Sequence, residues 1–512
     1  MRRKAMGPRG QVLEAREKKE RDYPLAAAEE ERRRVAEKRD THALLKGGGK
    51  AVVDRDERML VPPPAVRQAL GDRLVVARRA PEVEFAVIPY GHRYFPNMEG
   101  DRKIGPWSSW GQAGYYAPHG KFFGAVGDHG WYDPNLHVVE YDVGQRSAKC
   151  LPELNTALGR PPEQFGEAKI HGSPDVYKAP YSRNDHLWFC TYWCRYPEPL
   201  EHDFATGYTG GHIMSYDLAD GSFVDYGVPL QRASWPYHRV DRRRGILYGV
   251  GMFGEFLAWD IGRQDILWAG YPPPGTTWFN RCLLLDEESG RVYSNNSLSP
   301  TRRLLRYEPD RNRFTELAID MPRNRQYDQP VVMRAYTRER GPDGKFWGLT
   351  SLGDLFSFDP AAEKLDVGPR LWPLNDAYSV AMDRSPGGRY LYFGIASHAR
   401  GYPYGSPVLQ HDLESGVTKV LAFLHPYYYD TYGYIAGGAY SFRLDESGSR
   451  LFMIWNGDFT ELQRLEAEHR NYNADDIKNW SVPSPHDAFG HCAAFVINIP
   501  EEERPERAAS RS

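Results

Sequence analysis

Short apolar stretches alternate with polar turns along most of this chain, and seven of them end alike, with an aromatic or apolar residue followed by an acid or Asn. The copies are Tyr141-Asp142, Tyr216-Asp217, Trp259-Asp260, Tyr307-Glu308, Phe358-Asp359, His411-Asp412 and the degenerate Ile497-Asn498. Between Tyr216 and His411 they recur every 43 to 53 positions, the period of a four-stranded antiparallel unit repeated around an axis. Ahead of each copy an apolar stretch meets a tight turn and a second apolar stretch, most clearly at Asp286 to Tyr293, Asp343 to Trp347, Asp383 to Tyr392 and Asp445 to Trp455. Asp and Gly supply the turn conformations of a hairpin, and the aromatics that follow suit a half-buried pleated face. The hairpins are therefore strands A and B, and the aromatic–acid pair closes strand C. The pattern predicts an all-β fold, a seven-bladed β-propeller of four-stranded antiparallel blades.

On this reading blade one uses Gly111 to Leu154, blade two Lys169 to Leu230 and blade three Ser234 to Gly270. Blades four to six start near Asn280, Gln329 and Asp376, and blade seven runs from Gly438 to Ile499. The last blade shows only three strands of its own, so the apolar stretch Phe85 to Gly91 is expected to supply the fourth and close the ring, leaving no long sheet edge. The propeller then occupies 111–500. Residues 61–110 form a linker carrying the closing strand, and 501–512 a charged tail. Residues 1–60, with the mixed Arg, Lys, Glu and Ala run Glu14 to Arg39 broken by Gly47-Gly48-Gly49, read as a charged extension, helical or disordered.

Composition narrows the classes. With 41% apolar and 13% aromatic residues, the 512-residue chain can bury a large core. Its formal charge of −3 comes without a basic stripe interleaved with aromatics, which argues against nucleic acid as a partner. No apolar run reaches the roughly 18 residues of a membrane span, and the first thirty residues carry no apolar signal core, so a cytoplasmic location away from membranes is expected. The five cysteines, Cys150, Cys190, Cys194, Cys282 and Cys492, imply no disulfide framework, and Cys190 with Cys194 lacks the second pair of a zinc site.

In a propeller the loops entering strand A and joining strands B and C share one face. The longest of them, Asp128 to Asn135, Tyr192 to Gly211, Ser397 to Ser406 and Asn456 to Gly490, should build a pocket over the channel. Chemically able residues fall on that rim: His129 in Gly127-Asp128-His129-Gly130, His171 in Lys169-Ile170-His171-Gly172, then Tyr237, His238 and Arg239 at the entrance of blade three and Arg281 at that of blade four. His398, Tyr402 and Tyr404 rise from blade six. Imidazoles, a phenol and a guanidinium around one cavity form a set for general acid–base work on an anionic substrate. For each, the plainer alternative is a hydrogen-bonding or core-filling role.

The segments Trp107-Ser-Ser-Trp110-Gly111, Gly127-Asp128-His129, Glu140-Tyr141-Asp142, Lys169 to Gly172 and Gly210 to Asp217 resemble those of seven-bladed propeller polysaccharide lyases, the ulvan lyases and oligogalacturonate lyases among them. The resemblance implies β-elimination of a uronic-acid glycoside in an anionic oligo- or polysaccharide, with His and Tyr as base and acid and Arg near the carboxylate. His129 or His171 would take the proton, and Tyr237, beside His238, would protonate the leaving oxygen. Arg239 or Arg281, or a divalent metal held by pocket histidines, would neutralise the carboxylate, while Trp131, Trp193 and Tyr402 would stack on sugar rings. The separation of His129 and His171 and the missing secretion signal depart from the ulvan lyases, and the His-rich metal site of the oligogalacturonate enzymes has no residue-by-residue match. Two other classes stay open: a non-catalytic propeller that binds carbohydrate or protein, and a metal-dependent hydrolase or lactonase-like enzyme using acids and amides such as Asn280, Asn295 and Asp376 at the channel mouth.

Overall fold

The computed structural model of the protein describes residues 49–89, 107–128, 136–159, 167–193, 207–324, 329–374, 377–395, 401–459 and 492–505. Seven antiparallel blades stand in a ring, as the repeat predicts. Strand A of each is, in order, Gly114–Tyr116, Asp175–Tyr177, Tyr237–Asp241, Leu284–Asp286, Met333–Tyr336, Met382–Arg384 and Tyr434–Leu444. Strand C is Leu136–Asp142, Ile213–Asp217, Phe256–Asp260, Leu304–Glu308, Asp354–Asp359, Pro407–Asp412 and Ala493–Asn498. Every one of the seven motif copies thus falls on the last two residues of a third strand. The chemistry of the turn to strand D explains the acid. Asp142 accepts the Gln145 backbone N–H at 2.8 Å, Asp217 those of Ala219 and Asp220 at 2.9 Å, and Asp359 that of Ala361 at 2.9 Å. A carboxylate at this position satisfies turn amides that no strand partner could reach.

The seventh copy lacks the acid because no turn to a strand D follows it. Its fourth strand comes from the N-terminal side, Glu82–Val87, paired antiparallel with Ala493–Asn498 from Glu82↔Asn498 to Val87↔Ala493. The closing strand is the one expected, shifted to begin three residues earlier. Phe85 fixes it: wholly buried, its ring lies 4.7 Å from that of Tyr428, 4.9 Å from Phe495 and 5.2 Å from Tyr434. Tyr428 belongs to a helix, Leu424–Tyr432, that precedes blade seven and ends at Gly433 in the left-handed conformation, φ 66°.

Several short strands lie outside the blades proper, two of them from the N-terminal segment. Val52–Asp54, within the segment expected to stand apart from the ring, pairs with Glu82–Val87 as a fifth strand, and Val75–Val76 runs parallel to the outer strand of blade six. The run Glu14 to Arg39 lies outside the described residues. In the charged tail, Glu503 is buried and its carboxylate takes both Lys419 Nζ and the Arg78 backbone N–H. Neighbouring inner strands are stapled by aspartates: Asp175 accepts the Val240 N–H at 2.6 Å, and Asp383 accepts the Leu444 N–H at 2.7 Å. No helix among the described residues is long and apolar enough to cross a membrane.

Candidate functional site

Three inner strands send one polar aromatic or basic side chain each to a common point: Tyr237 from blade three, Arg334 from blade five and Tyr440 from blade seven. Segments leading into other blades add Trp110, Lys169, His171, Arg281 and Tyr378, and Tyr192 follows strand B of blade two. Arg334 is the organiser. It is 5% exposed, donates from Nη1 to the Tyr237 hydroxyl oxygen at 2.9 Å and from Nε to the Tyr378 hydroxyl oxygen at 2.6 Å, and lies over both rings. A guanidinium fork of fixed shape therefore sets the spacing of two phenols from different blades.

His171 is the second centre. Its Nδ1 is 3.3 Å from Arg281 Nη1. Because a guanidinium can only donate, Nδ1 accepts, and the neutral ring carries its proton on Nε2. The imidazole sits 4.6 Å from the Tyr192 ring and stacks on Trp110 at 6.2 Å. Trp110, whose indole N–H is donated to Ser108, is in turn 5.3 Å from the Tyr440 ring. Lys169 Nζ lies over Trp110 and Tyr192 at 5.5 and 5.6 Å, and Arg281 covers Tyr192 at 5.6 Å. Tyr440 is fully buried, and its hydroxyl finds no hydrogen-bond partner among the described residues. Burial pushes that phenol far above its ordinary range, reinforced by the phenols of Tyr378 and Tyr237 and opposed by Arg334 and Arg281, so it stays protonated. Among the described residues no carboxylate comes within ion-pairing distance of Arg281 or Arg334. Arg281 is half-buried and Arg334 almost wholly buried, a setting in which a guanidinium favours an anionic partner.

The residues expected from the sequence divide between places. His171, Tyr237 and Arg281 are in this cluster. His238 follows Tyr237 on the strand and therefore points the other way. It is wholly buried, accepts the Cys190 N–H on Nδ1 at 3.3 Å, and fills space that Gly172 leaves open: a Cβ at Gly172 would come within 2.3 Å of the ring. Burial, with the Arg239 charge beside it, pushes the His238 imidazole down to about 3, so it is neutral. Arg239 is 2% exposed and spends its donors inside the ring, on Asp175 at 3.3 Å and on the Arg338 carbonyl at 2.9 Å. Tyr402 is buried in a small cluster with Tyr429 and Ile435, its ring 5.4 Å from His425, and not on an open rim. His129, Trp131 and His398 lie outside the described residues, as does the side chain of Trp193.

Neither described pocket histidine suits a metal. His171 turns one nitrogen to a guanidinium, whose charge repels a cation, and His238 is enclosed between blades. Among the described residues no three His, Cys, Asp or Glu side chains converge as ligands. Asn280 donates to the Met252 carbonyl at 2.6 Å, and Asn295 accepts the Met333 N–H and donates to the Arg302 carbonyl, so both amides are committed to the scaffold. Asp376 lies outside the described residues. A separate groove of about 870 Å³ between blades two and three is lined by Tyr181, His186, Asp217, Asp225, Tyr226 and others. Two of its carboxylates are already engaged, Asp217 by Asn184 and turn amides and Asp225 by His212.

Sequence reasoning missed Arg334, Tyr378, Tyr440 and Tyr192. The one signal available was Arg334, a charged residue in the otherwise apolar strand Met333–Tyr336.

No protein-family model matches the chain, and no curated protein matches it. Among solved structures it is similar to Saccharomyces cerevisiae Sqt1, at 11% sequence identity over 76% of this chain and 83% of that one, with a TM-score of 0.41. So remote a likeness carries no argument, and the fold is read from the chain's own strand pairing. The chain is a seven-bladed β-propeller.

Proposed function

We propose that the protein is a carbohydrate-active propeller that cleaves uronic-acid glycosides by β-elimination at the cluster around His171 and Arg334. One observation carries this reading: Arg281 and Arg334, free of carboxylate partners among the described residues, share one site with an imidazole, several phenols and the indole of Trp110. A uronate presents the complementary features. Its carboxylate needs cations, its C5 proton a base, its leaving oxygen an acid, and its ring an aromatic surface.

On this reading Arg281 has two partners in sequence. Without ligand it donates to His171 Nδ1. A uronate carboxylate draws the guanidinium to itself, neutralises the charge that opposes carbanion formation, and leaves Nδ1 open to take the C5 proton. The base is thus exposed by the same group that makes the proton acidic, and a neutral sugar gains neither effect. Trp110 and Tyr192 flank the imidazole and offer stacking surface, and the proton for the leaving oxygen falls to a phenol.

Incubation of the purified protein with a panel of uronate polymers, including polygalacturonate, alginate and ulvan, is expected to give unsaturated products that absorb in the ultraviolet. Binding of uronates without any such product would favour a non-catalytic carbohydrate-binding propeller; no binding to any uronate would sink both.

A further inference from the structure

We infer that Phe253 and Tyr271 form a second binding site, an aromatic platform on the rim of blade three that holds a further sugar ring of the chain whose reacting uronate lies at His171; this rests on the uronate reading of that site given above. Among the described residues the exposed aromatic side chains are Tyr181, Phe253 and Tyr271, and the last two are brought together by one carboxylate. Glu255, 3% exposed, accepts the Phe253 backbone N–H at 2.9 Å and the Tyr271 hydroxyl at 3.1 Å. The strand register sets them side by side, since Phe256, which follows Glu255, pairs with Gly270, which precedes Tyr271. Tyr271 is 58% exposed although its hydroxyl is tied to a buried group, so the tether fixes the ring where it meets solvent. Burial and the Glu255 charge push that phenol up to about 12, which keeps it a donor to the carboxylate.

The platform is joined to the site. Phe253 follows Met252, whose sulfur accepts the Tyr192 hydroxyl at 3.3 Å and whose carbonyl accepts the Asn280 side-chain amide at 2.6 Å. Tyr192 lies beside His171, and Asn280 precedes Arg281. Gly254 seats the same loop against the segment entering blade four: its φ is 93°, and a Cβ there would come within 2.1 Å of Thr277. Site and platform therefore share one short loop and one face, running outward from the axis over blade three. Chemistry selects the occupant. A pyranose has a C–H face that covers an aromatic ring and hydroxyls around its edge that stay in water. A protein partner or a second copy would need a far wider apolar surface than two rings. The substrate is then a polymer read over several residues, its chain leaving the site across blade three.

Tyr271→Ala removes the more exposed ring and should leave the melting temperature little changed, as expected of a surface position. On a uronate hexamer cut from the polymer the protein cleaves, KM should rise about three- to tenfold with kcat little changed, because binding remote from the reacting bond is lost equally from ground and transition states. On the corresponding disaccharide the rise should be much smaller. An unchanged KM on the hexamer, or an equal rise on both lengths, overturns the platform. Tyr271→Phe keeps the ring and should keep most of the affinity; a loss as large as that of Tyr271→Ala assigns the effect to the hydroxyl and overturns stacking. Sedimentation gives a further check: a homodimer of the unmodified protein that Tyr271→Ala separates would assign the patch to a second copy and overturn the proposal. If the unmodified protein cleaves no uronate, calorimetry with galacturonate and mannuronate hexamers replaces the kinetics. Weaker binding to Tyr271→Ala then supports the platform while β-elimination falls, and no binding to the unmodified protein sinks both.

Discussion

Arg334 holds two phenols through two different nitrogens, and that geometry is what a lysine cannot reproduce. A lysine ammonium is a single point on a flexible stem, so Arg334→Lys keeps the charge but releases at least one of Tyr237 and Tyr378. The expected outcome is a fall in kcat/KM on a uronate substrate of about ten- to a hundredfold, the scale of one hydrogen bond to a charged group, with secondary structure unchanged by circular dichroism. A second residue-scale consequence concerns acid. Burial pushes the imidazole of His238 down to about 3 and that of His411 to about 4, whereas an unfolded chain titrates them near 6.5. The unfolded state therefore binds protons first. Full stability holds above about pH 6.5, and each histidine costs about 2 kcal/mol by pH 5, the loss continuing until the folded pKa is reached. Carboxylates whose pKa is depressed, such as Asp412 paired with Arg389, add their own loss only as the pH falls toward their unfolded value of about 3.9 and below it. Urea unfolding at pH 7 and pH 5 checks the slope, and His411→Asn should flatten it by about half. At this scale the sequence was readable where a residue type is rare in its setting, as with His171 beside Gly172. It was silent on tautomer and partner, which depend on Arg281 arriving from a strand entrance 110 positions away.

At the scale of the element, the strands were legible because five of the seven third strands end in an aspartate that caps its own turn, so one local requirement repeats with the blade. The misreadings share a cause, a polar group made comfortable by a distant partner. The closing strand was expected to start at Phe85, where an apolar stretch begins, but it includes Glu84. Glu84 is nonetheless 1% exposed: it accepts the Tyr141 hydroxyl and the Asn498 side-chain amide, the latter at 3.2 Å, with Arg146 Nε at 3.6 Å. The helix Leu424–Tyr432 escaped because three consecutive tyrosines favour a strand by propensity, whereas in the fold Tyr428 packs on both Phe85 and Phe495. Asn498 also shows why the last motif copy departs from the rest. An acid there would face Glu84 across the seam, so Asn498→Asp should destabilise the fold by about 2 kcal/mol at neutral pH, and adding Glu84→Gln should restore most of it. Equilibrium urea unfolding of the single and double variants decides this; additive losses would refute the pairing.

For the whole molecule, the site belongs to no single blade. Tyr237, Arg334 and Tyr440 come from blades three, five and seven, and Trp110, His171, Arg281 and Tyr378 from segments entering four others, so the cluster exists only once the ring has formed. This explains how the repeat could be read while most of the cluster could not: periodicity reports what the blades share, and a site at the axis is made of what they do not share. The seam that completes the ring has a directional property of its own. In the register Glu82↔Asn498 to Val87↔Ala493, the two chain segments that leave the strand pair toward the termini depart from the same end of it. Tension reaching the seam from both sides would load its hydrogen bonds one after another, as in opening a zipper, instead of shearing them together. Blade seven is thus a closure held by the packing of Phe85 on Phe495, whose strand pair is expected to open one hydrogen bond at a time under force from the two termini.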